Sequence, residues 1–232
     1  MVHKNTRMQH IGFIMDGNRR WAKKLGNIVS LWHKQGGDNV EPVVQMCLAA
    51  GIKYVSMWAL SKENIIERSE FELTSIFGLI RHKIPQVLPT LTQASIRFET
   101  IGDLSLLPDD IQKILIDAKE ATVGGTQMTF ALVLGYSGQD EIVRGVKRCI
   151  SEWVDPSSLD DKTFATYLDT GIFPPPDLIV RTGWNIRHSG YFLYQSAYSE
   201  YYFTETLWPD FDQIEFDRAL AYYDGVKRNF WK

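Results

Sequence analysis

The chain has little of what several protein classes depend on. Among its 232 residues are two cysteines, Cys47 and Cys149, both in apolar stretches of helical character. Neither has a histidine or a second cysteine at ligand spacing, which argues against a zinc site and a disulfide framework. We expect both to be buried free thiols of a protein in a reducing compartment.

Long apolar runs and a strong net charge are also missing. No run approaches the roughly 20 apolar residues that cross a bilayer, and the polar residues 1–7 contain no apolar signal core. The formal net charge of −3 gives no electrostatic basis for binding nucleic acid. We therefore expect a cytoplasmic protein without a nucleic-acid partner, although an apolar substrate remains compatible with this composition.

Two common phosphate-binding motifs are absent. There is no G-x-x-x-x-G-K-[ST] and no G-x-G-x-x-G in the chain, which argues against a P-loop and a dinucleotide-binding fold. Internal repeats, low-complexity tracts and Gly/Ser linkers are also lacking. We therefore expect a single domain over residues 1–232.

Strand-like and helical patterns alternate along the chain. Strand-like runs occur at Gly12–Met15, Tyr54–Ala59, Ile96–Thr100, Met128–Leu134, Leu178–Val180 and, more weakly, Tyr201–Thr204. Helical patterns occur at 19–24, 40–47, 71–91, 111–121, 142–153 and 211–230. This alternation predicts an α/β fold with a parallel sheet covered on both faces. Ligands of such sheets bind beyond the carboxyl ends of the strands, so the loops there are the place to seek chemistry.

The loop after the first predicted strand is Asp16-Gly17-Asn18, followed by Arg19 and Arg20 on a predicted helix. A turn between strand and helix exposes backbone N–H groups at the positive end of the helix, which favours an anion. Asp16 can hold a divalent cation, and the arginines can bind phosphate oxygens. The alternative is an ordinary strand-to-helix turn with Asn18 as its cap.

A second polar group follows the fifth predicted strand. Arg181, Arg187 and Ser189 together offer two guanidinium forks and a hydroxyl, a set that suits a diphosphate. The alternative is a solvated loop with one structural ion pair. Glu200, in an apolar segment, can share a cation with Asp16 or pair structurally with one of these arginines, since an unpaired carboxylate there is costly.

Further candidates surround these two groups. Phosphate- or metal-competent side chains follow the second strand, at Ser61, Glu63, Asn64 and Arg68. His33 starts a helix and can donate to phosphate, or it is simply a polar surface group. The residues that can surround a hydrocarbon are Trp32, Trp58, Phe77, Leu134 and Trp184. Core packing is the alternative for most of them, but Trp184 lies within a polar loop.

Taken in order, these residues resemble those of the cis-prenyltransferases, a family typified by undecaprenyl diphosphate synthase. The resemblance extends from His10 to about Phe230 and rests on several short motifs that occur together. These are Met15-Asp16-Gly17-Asn18-Arg19-Arg20-Trp21-Ala22, His33-Lys34, Ala59-Leu60-Ser61-Lys62-Glu63-Asn64, Gly102-Asp103, Asp177-Leu178-Ile179-Val180-Arg181-Thr182-Gly183, Tyr202-Phe203-Thr204 and Leu207-Trp208-Pro209-Asp210-Phe211.

The resemblance implies a three-layer α/β/α fold with a six-stranded, mainly parallel sheet. It also implies a prenyl diphosphate synthase that condenses an allylic diphosphate with isopentenyl diphosphate and uses Mg²⁺. Members of the family are usually homodimers. A long-chain product would bring the protein into peripheral contact with a membrane.

The resemblance also assigns roles to individual residues. Asp16 would bind magnesium and diphosphate, and Asn18 would assist proton removal. The allylic diphosphate site would comprise Gly17, Asn18, Arg19, Arg20, Trp21 and His33. The segment that closes over the substrates would contribute Ser61, Glu63, Asn64 and Arg68. The isopentenyl diphosphate site would comprise Arg181, Arg187 and Ser189, with Glu200 as its acidic, metal-binding partner. The pocket or tunnel would be lined by Trp32, Trp58, Ala59, Leu134 and Trp184.

Several positions depart from the family pattern. Val29 stands where an arginine is typical and Trp32 where glycine precedes the histidine. Trp184-Asn185 replaces glycine followed by an acid, Gly135-Tyr136-Ser137-Gly138 replaces Asn-Tyr-Gly-Gly, and Leu134 occupies a small tunnel position. A lost cation and two added indoles would weaken diphosphate binding and narrow the pocket. A short-chain product, irregular coupling, cyclisation or a weakened, non-catalytic chain are the alternatives to regular elongation.

Overall fold

The fold is built on a parallel β-sheet. The computed structural model describes residues 8–24 and 35–227. Within them the sheet has six strands, β1 His10–Ile14, β2 Tyr54–Ser61, β3 Ile96–Ile101, β4 Met128–Tyr136, β5 Leu178–Arg181 and β6 Glu200–Phe203. Their order is β3-β4-β2-β1-β5-β6, and every pairing is parallel. Each predicted strand is confirmed.

Among the described residues, six of the eight α-helices agree with predicted helical stretches apart from their ends, whereas the third and the seventh, both short, were not predicted. They are α1 Asn18–Lys24, α2 Val40–Ala49, α3 Lys62–Glu67, α4 Glu70–Gln93, α5 Asp109–Ala121, α6 Gly138–Ser151, α7 Asp161–Ala165 and α8 Gln213–Gly225. The helix predicted from residue 211 begins at Gln213, because Asp212 is its N-cap. The Oδ1 of Asp212 accepts from the Glu215 N–H over 3.0 Å. Over the described ranges, none of the helices combines the length and the apolarity needed to cross a membrane.

The sheet has apolar layers on both faces, as the α/β prediction requires. One face packs against α2, α4, α5 and α8 through residues such as Val43, Ile80 and Phe216. The opposite face packs against a layer that includes Tyr191 and Phe192. The two cysteines are buried free thiols, in α2 and α6, as predicted. Together the layers give the expected α/β/α arrangement.

The central position of β1 creates the crevice of the fold. After β1 the chain crosses to β2 on one side, whereas after β5, the other neighbour of β1, it continues to β6 on the opposite side. Loops that leave two such neighbouring strands in opposite directions open a gap at the carboxyl edge of a sheet. Ile14, the last residue of β1, is in register with Arg181, the last residue of β5. The loops that carry Asp16 and Arg187 therefore begin side by side.

Candidate active site

The turn after β1 is fixed by a glycine and by hydrogen bonds to the Asp16 backbone. Gly17 has φ = +110°, and a Cβ there would lie 2.8 Å from Cδ2 of Leu207. The Thr182 hydroxyl donates to the Asp16 carbonyl over 2.7 Å and accepts from the Asp16 N–H over 3.0 Å. Trp208 N–H donates to the same carbonyl over 3.0 Å. The Asp16 side chain therefore starts from a fixed backbone.

The Asp16 carboxylate is the centre of a polar cluster. Its Oδ1 accepts from Nη2 of Arg20 over 3.1 Å. Its Oδ2 accepts from Nη2 of Arg181 over 3.0 Å and from Nδ2 of Asn185 over 2.7 Å. Burial acts to raise the pKa of Asp16, but the hydrogen bonds from Asn185 and Arg181 and the nearby guanidinium charges hold it below its ordinary value. The carboxylate is therefore ionised at neutral pH.

Arg181 joins this carboxylate to the loop that follows β5. It is 5% exposed, and its Nη1 donates to Ser189 Oγ over 2.7 Å and to the Arg187 carbonyl. Arg187 donates from Nε to the same Ser189 hydroxyl over 3.2 Å. Arg20 completes the cluster by donating from Nη2 to the Gly183 carbonyl over 2.6 Å. The structure thus brings the two predicted polar groups into one cluster of cations around one carboxylate.

A cavity of about 950 Å³ opens beside the cluster and continues into the apolar core. At its polar end it is lined by Asp16, Gly17, Asn18, Arg19, Arg20, Arg181, Asn185 and Ser189. Ile76, Ile80, Ile84, Val87 and Leu91 of α4 form its apolar side at helical spacing. Leu91 is 15 residues after Ile76, so this wall of the tunnel is about 22 Å long at a rise of 1.5 Å per residue. Phe130 and Leu132 of β4 line it as well.

The segment after β2 forms the rim of the cavity. Ser61, Glu63, Asn64 and Arg68 all line it, as do Trp58 and Ala59 at the end of the strand. Ser61 starts α3 by accepting from Asn64 N–H over 3.0 Å. Arg19 reaches across to Glu72 of α4 over 2.8 Å. Charged and amide side chains therefore surround the polar mouth of an apolar tunnel.

Several predicted residues do not line the cavity: Arg187 contacts the cluster through Ser189 and Asn185, Phe77 is buried in the core, and three others lie elsewhere. Trp21 is absent from the cavity lining, and its Nε1 donates to Asp210 Oδ1 over 2.6 Å, so it anchors α1 rather than facing a ligand. Trp184 is 61% exposed at φ = +66° and does not line the cavity. Leu134 is fully buried in the core and does not line the cavity. Leu132 and Phe130 of the same strand line it instead. His33, Trp32 and Val29 lie outside the described residues.

Glu200 occupies the opposite edge of the sheet from Asp16. It is the first residue of β6, in register with Leu178 and hence with Ile11 at the start of β1. Ile14, where β1 ends before Asp16, lies three residues beyond Ile11, about 10 Å along the strand direction, and β6 lies two strands from β1, about 10 Å across the sheet. Within one chain the two carboxylates therefore cannot share a cation, and the predicted pairing of Glu200 with Asp16 is not supported.

The sequence prediction missed two residues of the cluster. From the sequence, Thr182 is only part of a motif and Asn185 only a departure from it. Both follow β5 at the carboxyl edge, so the rule that pointed to Arg181 also covered them. Their roles depend on contacts with Asp16, which is distant in sequence and gives no local signal.

The donor set fits a magnesium ion that is shared with a substrate. Across the described ranges, no three His, Cys, Asp or Glu side chains come together as a metal site. Mg²⁺ in phosphoryl-binding sites is commonly held by one or two carboxylates together with substrate phosphate oxygens. Asp16, a hard oxygen ligand in the cavity wall, matches that pattern, and a complete cage of protein ligands is not required.

Comparisons with known proteins agree with this geometry. A family model described as "Putative undecaprenyl diphosphate synthase" matches residues 14–231. The chain is 39% identical over 223 residues to an isoprenyl transferase of Treponema denticola, covering 96% of this chain and 97% of that protein. It is 35% identical over 228 residues to a ditrans,polycis-undecaprenyl-diphosphate synthase ((2E,6E)-farnesyl-diphosphate specific) of Acinetobacter baylyi, covering 97% and 91%.

A solved structure is also similar to the chain. It is the lavandulyl diphosphate synthase of Lavandula x intermedia in complex with dimethylallyl diphosphate. The TM-score is 0.91 at 31% sequence identity, and the match covers 96% of this chain and 97% of that one.

Proposed function

Because the chain belongs to the cis-prenyltransferase family, we propose that it condenses an allylic diphosphate with isopentenyl diphosphate. The observation that carries this proposal is the cluster of Asp16, Arg20 and Arg181 at the mouth of an apolar tunnel. Such a site presents cations to a diphosphate and apolar walls to a growing prenyl chain. The family match over residues 14–231 also supports one domain for the whole chain.

The allylic diphosphate is assigned to the turn after β1. Arg20 would bind its oxygens as a guanidinium fork, with Arg19, Gly17 and Asn18 lining the same end of the cavity. Asn18 Oδ1 is a buried acceptor that has no hydrogen-bond partner in the described part of the chain. It is available to bind a donor of the substrate complex or to assist proton removal after coupling. We also propose that His33 belongs to the allylic diphosphate site.

The second diphosphate is assigned to Arg181, Arg187 and Ser189. Asp16, between the two sites, would hold Mg²⁺ together with diphosphate oxygens. When bound, the magnesium adds positive charge where the leaving diphosphate becomes more negative. The arginines supply preorganised positive charge of the same kind, with no protein nucleophile required. The tunnel walls hold the prenyl chain and exclude water from the allylic cation.

Further parts of the proposal concern the assembly and its location. We propose a homodimer and expect α6 to take part, because Val143, Val146 and Ile150 form an exposed apolar stripe at helical spacing and the exposed Trp153 lies just beyond the end of the helix. The free, buried thiols of Cys47 and Cys149 support a cytoplasmic location. A long-chain product would add peripheral membrane contact.

Turnover by Asp16 variants tests the proposed function. Asp16→Ala and Asp16→Asn should lower kcat/KM with a labelled allylic diphosphate, isopentenyl diphosphate and Mg²⁺ by about a thousandfold. Chelation of the metal with EDTA should abolish turnover, and added Mg²⁺ should restore it. The matched control is Asp103→Ala, which removes an acid after β3 that does not line the cavity. Full activity of Asp16→Ala, with circular dichroism unchanged, would refute the assignment.

Irregular coupling or cyclisation of allylic diphosphates is a second candidate function. It is favoured by the TM-score of 0.91 to a synthase solved with dimethylallyl diphosphate and by the replacement of the acid after Trp184 by Asn185. Incubation with dimethylallyl, geranyl or farnesyl diphosphate alone separates the two candidates. Prenylated or cyclic products formed without isopentenyl diphosphate would favour the second, and strict dependence on isopentenyl diphosphate would favour the first.

A further inference from the structure

Three side chains form a row across the sheet near its carboxyl edge. Ile14 of β1 is in register with Trp58 of β2 on one side and with Arg181 of β5 on the other. Residues in register on neighbouring parallel strands project to the same face, and the two strand spacings together span about 10 Å. All three residues line the cavity. From β5 to β2 the row therefore presents a cation, an aliphatic side chain and an indole to a ligand.

This row lies on the face of the sheet opposite α4. Trp58 and Ile14 pack in the layer that includes Tyr191, whereas Met57, the preceding residue of β2, packs in the layer with α4. The tunnel along α4 and the row are therefore on two sides of the same sheet edge, and residues of both line the cavity. A prenyl chain that follows α4 runs away from the row, which leaves the row to a second, shorter ligand.

Aromatic contacts hold the indole of Trp58 in place. Its ring stacks on Tyr191, with the ring centroids 5.3 Å apart and the planes inclined by 19°, and it meets the ring of Tyr136 edge-on at 5.9 Å. Tyr191 is itself fully buried. Ser189, which accepts from Arg181, is only two residues before Tyr191. One short segment therefore supports both ends of the row, and the indole lines the cavity from a fixed position.

From this arrangement we infer that Trp58 is a specificity-determining residue that contacts the five-carbon group of the second diphosphate substrate and limits its size. A diphosphate bound at Arg181 and Ser189 directs its carbon chain over Ile14, and the indole ends the row two strands away. A bulkier chain would collide with a ring that Tyr191 prevents from moving. The inference rests on the proposed function, since it assumes that a second diphosphate binds at Arg181.

Discrimination between second substrates of different size tests the inference, because loss of structure does not relax specificity. Trp58→Phe keeps a smaller ring on Tyr191, and Trp58→Ala opens the end of the row. The substrates compared are isopentenyl diphosphate and its 3-ethylbut-3-enyl homologue, which is larger by one methylene. The wild type should prefer the smaller by about tenfold or more in kcat/KM. Both variants should reduce that preference, Trp58→Ala by more.

The matched control is Trp153→Phe, which makes the same change at an indole that is 92% exposed and does not line the cavity. It should keep the preference of the wild type for isopentenyl diphosphate. Circular dichroism confirms that each variant is folded, and Trp58→Phe is the variant that retains the stack on Tyr191. KM for the allylic diphosphate should change little in all of them.

Binding without turnover provides a second measurement. The allylic site is first filled with farnesyl thiolodiphosphate, which ionises slowly, in the presence of Mg²⁺. Calorimetry then compares inorganic pyrophosphate, which has no carbon chain, with 3-methylbutyl diphosphate, which has no alkene to react. Trp58→Ala should weaken the binding of 3-methylbutyl diphosphate about tenfold, through loss of an apolar contact, and leave that of pyrophosphate unchanged.

Equal use of both homologues by the wild type, or unchanged discrimination in both Trp58 variants, would overturn the inference. So would an equal weakening of pyrophosphate and 3-methylbutyl diphosphate by Trp58→Ala. If the wild type binds 3-methylbutyl diphosphate but makes no product from the two substrates, the proposed function fails. The binding comparison then still decides the role of Trp58.

Discussion

Arg181 donates from Nη2 to Asp16 Oδ2 over 3.0 Å although 165 positions separate the two residues in sequence. The contact follows from the sheet, because β1 and β5 are parallel neighbours with Ile14 in register with Arg181. Arg181 is 5% exposed, so its charge is balanced by Asp16 in a partly desolvated setting. One ion pair thereby joins the two halves of the proposed site.

Replacement of Arg181 by lysine should damage both activity and stability. Lysine keeps the charge, but its single nitrogen cannot replace the two of the guanidinium, of which Nη2 contacts Asp16 and Nη1 contacts Ser189 and the Arg187 carbonyl. We expect kcat/KM to fall about a hundredfold and the free energy of unfolding to fall by about 1–3 kcal/mol. Kinetics and urea unfolding measure the two effects. Arg97→Lys, on β3 away from the cavity, should change neither by much, and an unaffected kcat/KM in Arg181→Lys would contradict the assigned role.

The length of the tunnel should control the length of the product. Val87→Phe adds bulk about 16 Å along α4 from Ile76, at 1.5 Å per residue, and should shorten the longest product. Phe130→Leu removes bulk from the facing wall and should lengthen it. Mass spectrometry of extracted products measures the change. Val123→Phe, which adds the same ring to a 64% exposed surface site, is the control. Identical product lengths in all variants would show that the cavity is not the chain-binding site.

His10 should make stability fall with acidification. Its Nδ1 donates to the Pro174 carbonyl over 2.7 Å, and its Nε2 accepts from the Ser56 hydroxyl over 2.7 Å. Burial lowers the pKa of His10 from 6.5 to about 4, although the bond to Pro174 and the charge of Asp177 act to raise it. Between these two values the unfolded chain binds a proton that the folded chain does not. Folding therefore loses stability as pH falls from 6.5 to 4, by up to about 3 kcal/mol.

Urea unfolding at a series of pH values checks this window. The difference in unfolding free energy between wild type and His10→Gln should narrow as the pH falls from 6.5 to 4. His82→Gln, which changes an exposed histidine on α4, should leave that slope as in the wild type. A difference between His10→Gln and wild type that stays constant with pH would show that His10 does not titrate in this way.

Trp184→Gly should leave turnover intact and stabilise the fold. Trp184 has φ = +66°, a left-handed conformation that costs a side-chain-bearing residue about 1 kcal/mol or more, and its side chain is 61% exposed. Glycine removes that strain but adds freedom to the unfolded chain, so we expect a net gain of up to about 1 kcal/mol. Thermal unfolding and kcat measure the two effects. A large change in kcat or product identity would mean that the indole acts on the substrate after all.

The strands, most of the helices and the main polar group could be predicted from sequence because their signals are local. Apolar runs mark β1 and β5, and polar residues directly after them mark the carboxyl edge. Glu200 was considered for a shared cation because it lies in an apolar segment, and that signal does not show which end of the sheet it occupies. It is the first residue of β6 and therefore lies at the amino edge, whereas Asp16 follows β1 at the carboxyl edge. Sequence alone does not fix where a short strand begins or which residue pairs with it.

Trp184 and Asn185 show the same limit at the level of a single loop. Both were recognised as unusual, but the sequence could not tell which of the two faces the cavity. The left-handed backbone at Gly183 and Trp184 leaves the indole exposed and sets Asn185 against Asp16. Backbone direction in such a loop depends on bonds to the Thr204–Thr206 segment, which is about twenty residues away in sequence.

The sequence by itself determined the alternation of strands and helices, the absence of an all-protein metal motif and the residue types that could bind diphosphate. These depend on periodicity and composition, which are properties of neighbouring residues. Only the tertiary structure decided that Asp16, Arg20, Arg181 and Asn185 meet, that α4 forms the wall of the tunnel and that Glu200 lies at the far edge. Those facts depend on strand order and register, which arise from burial of the whole sheet between two apolar layers.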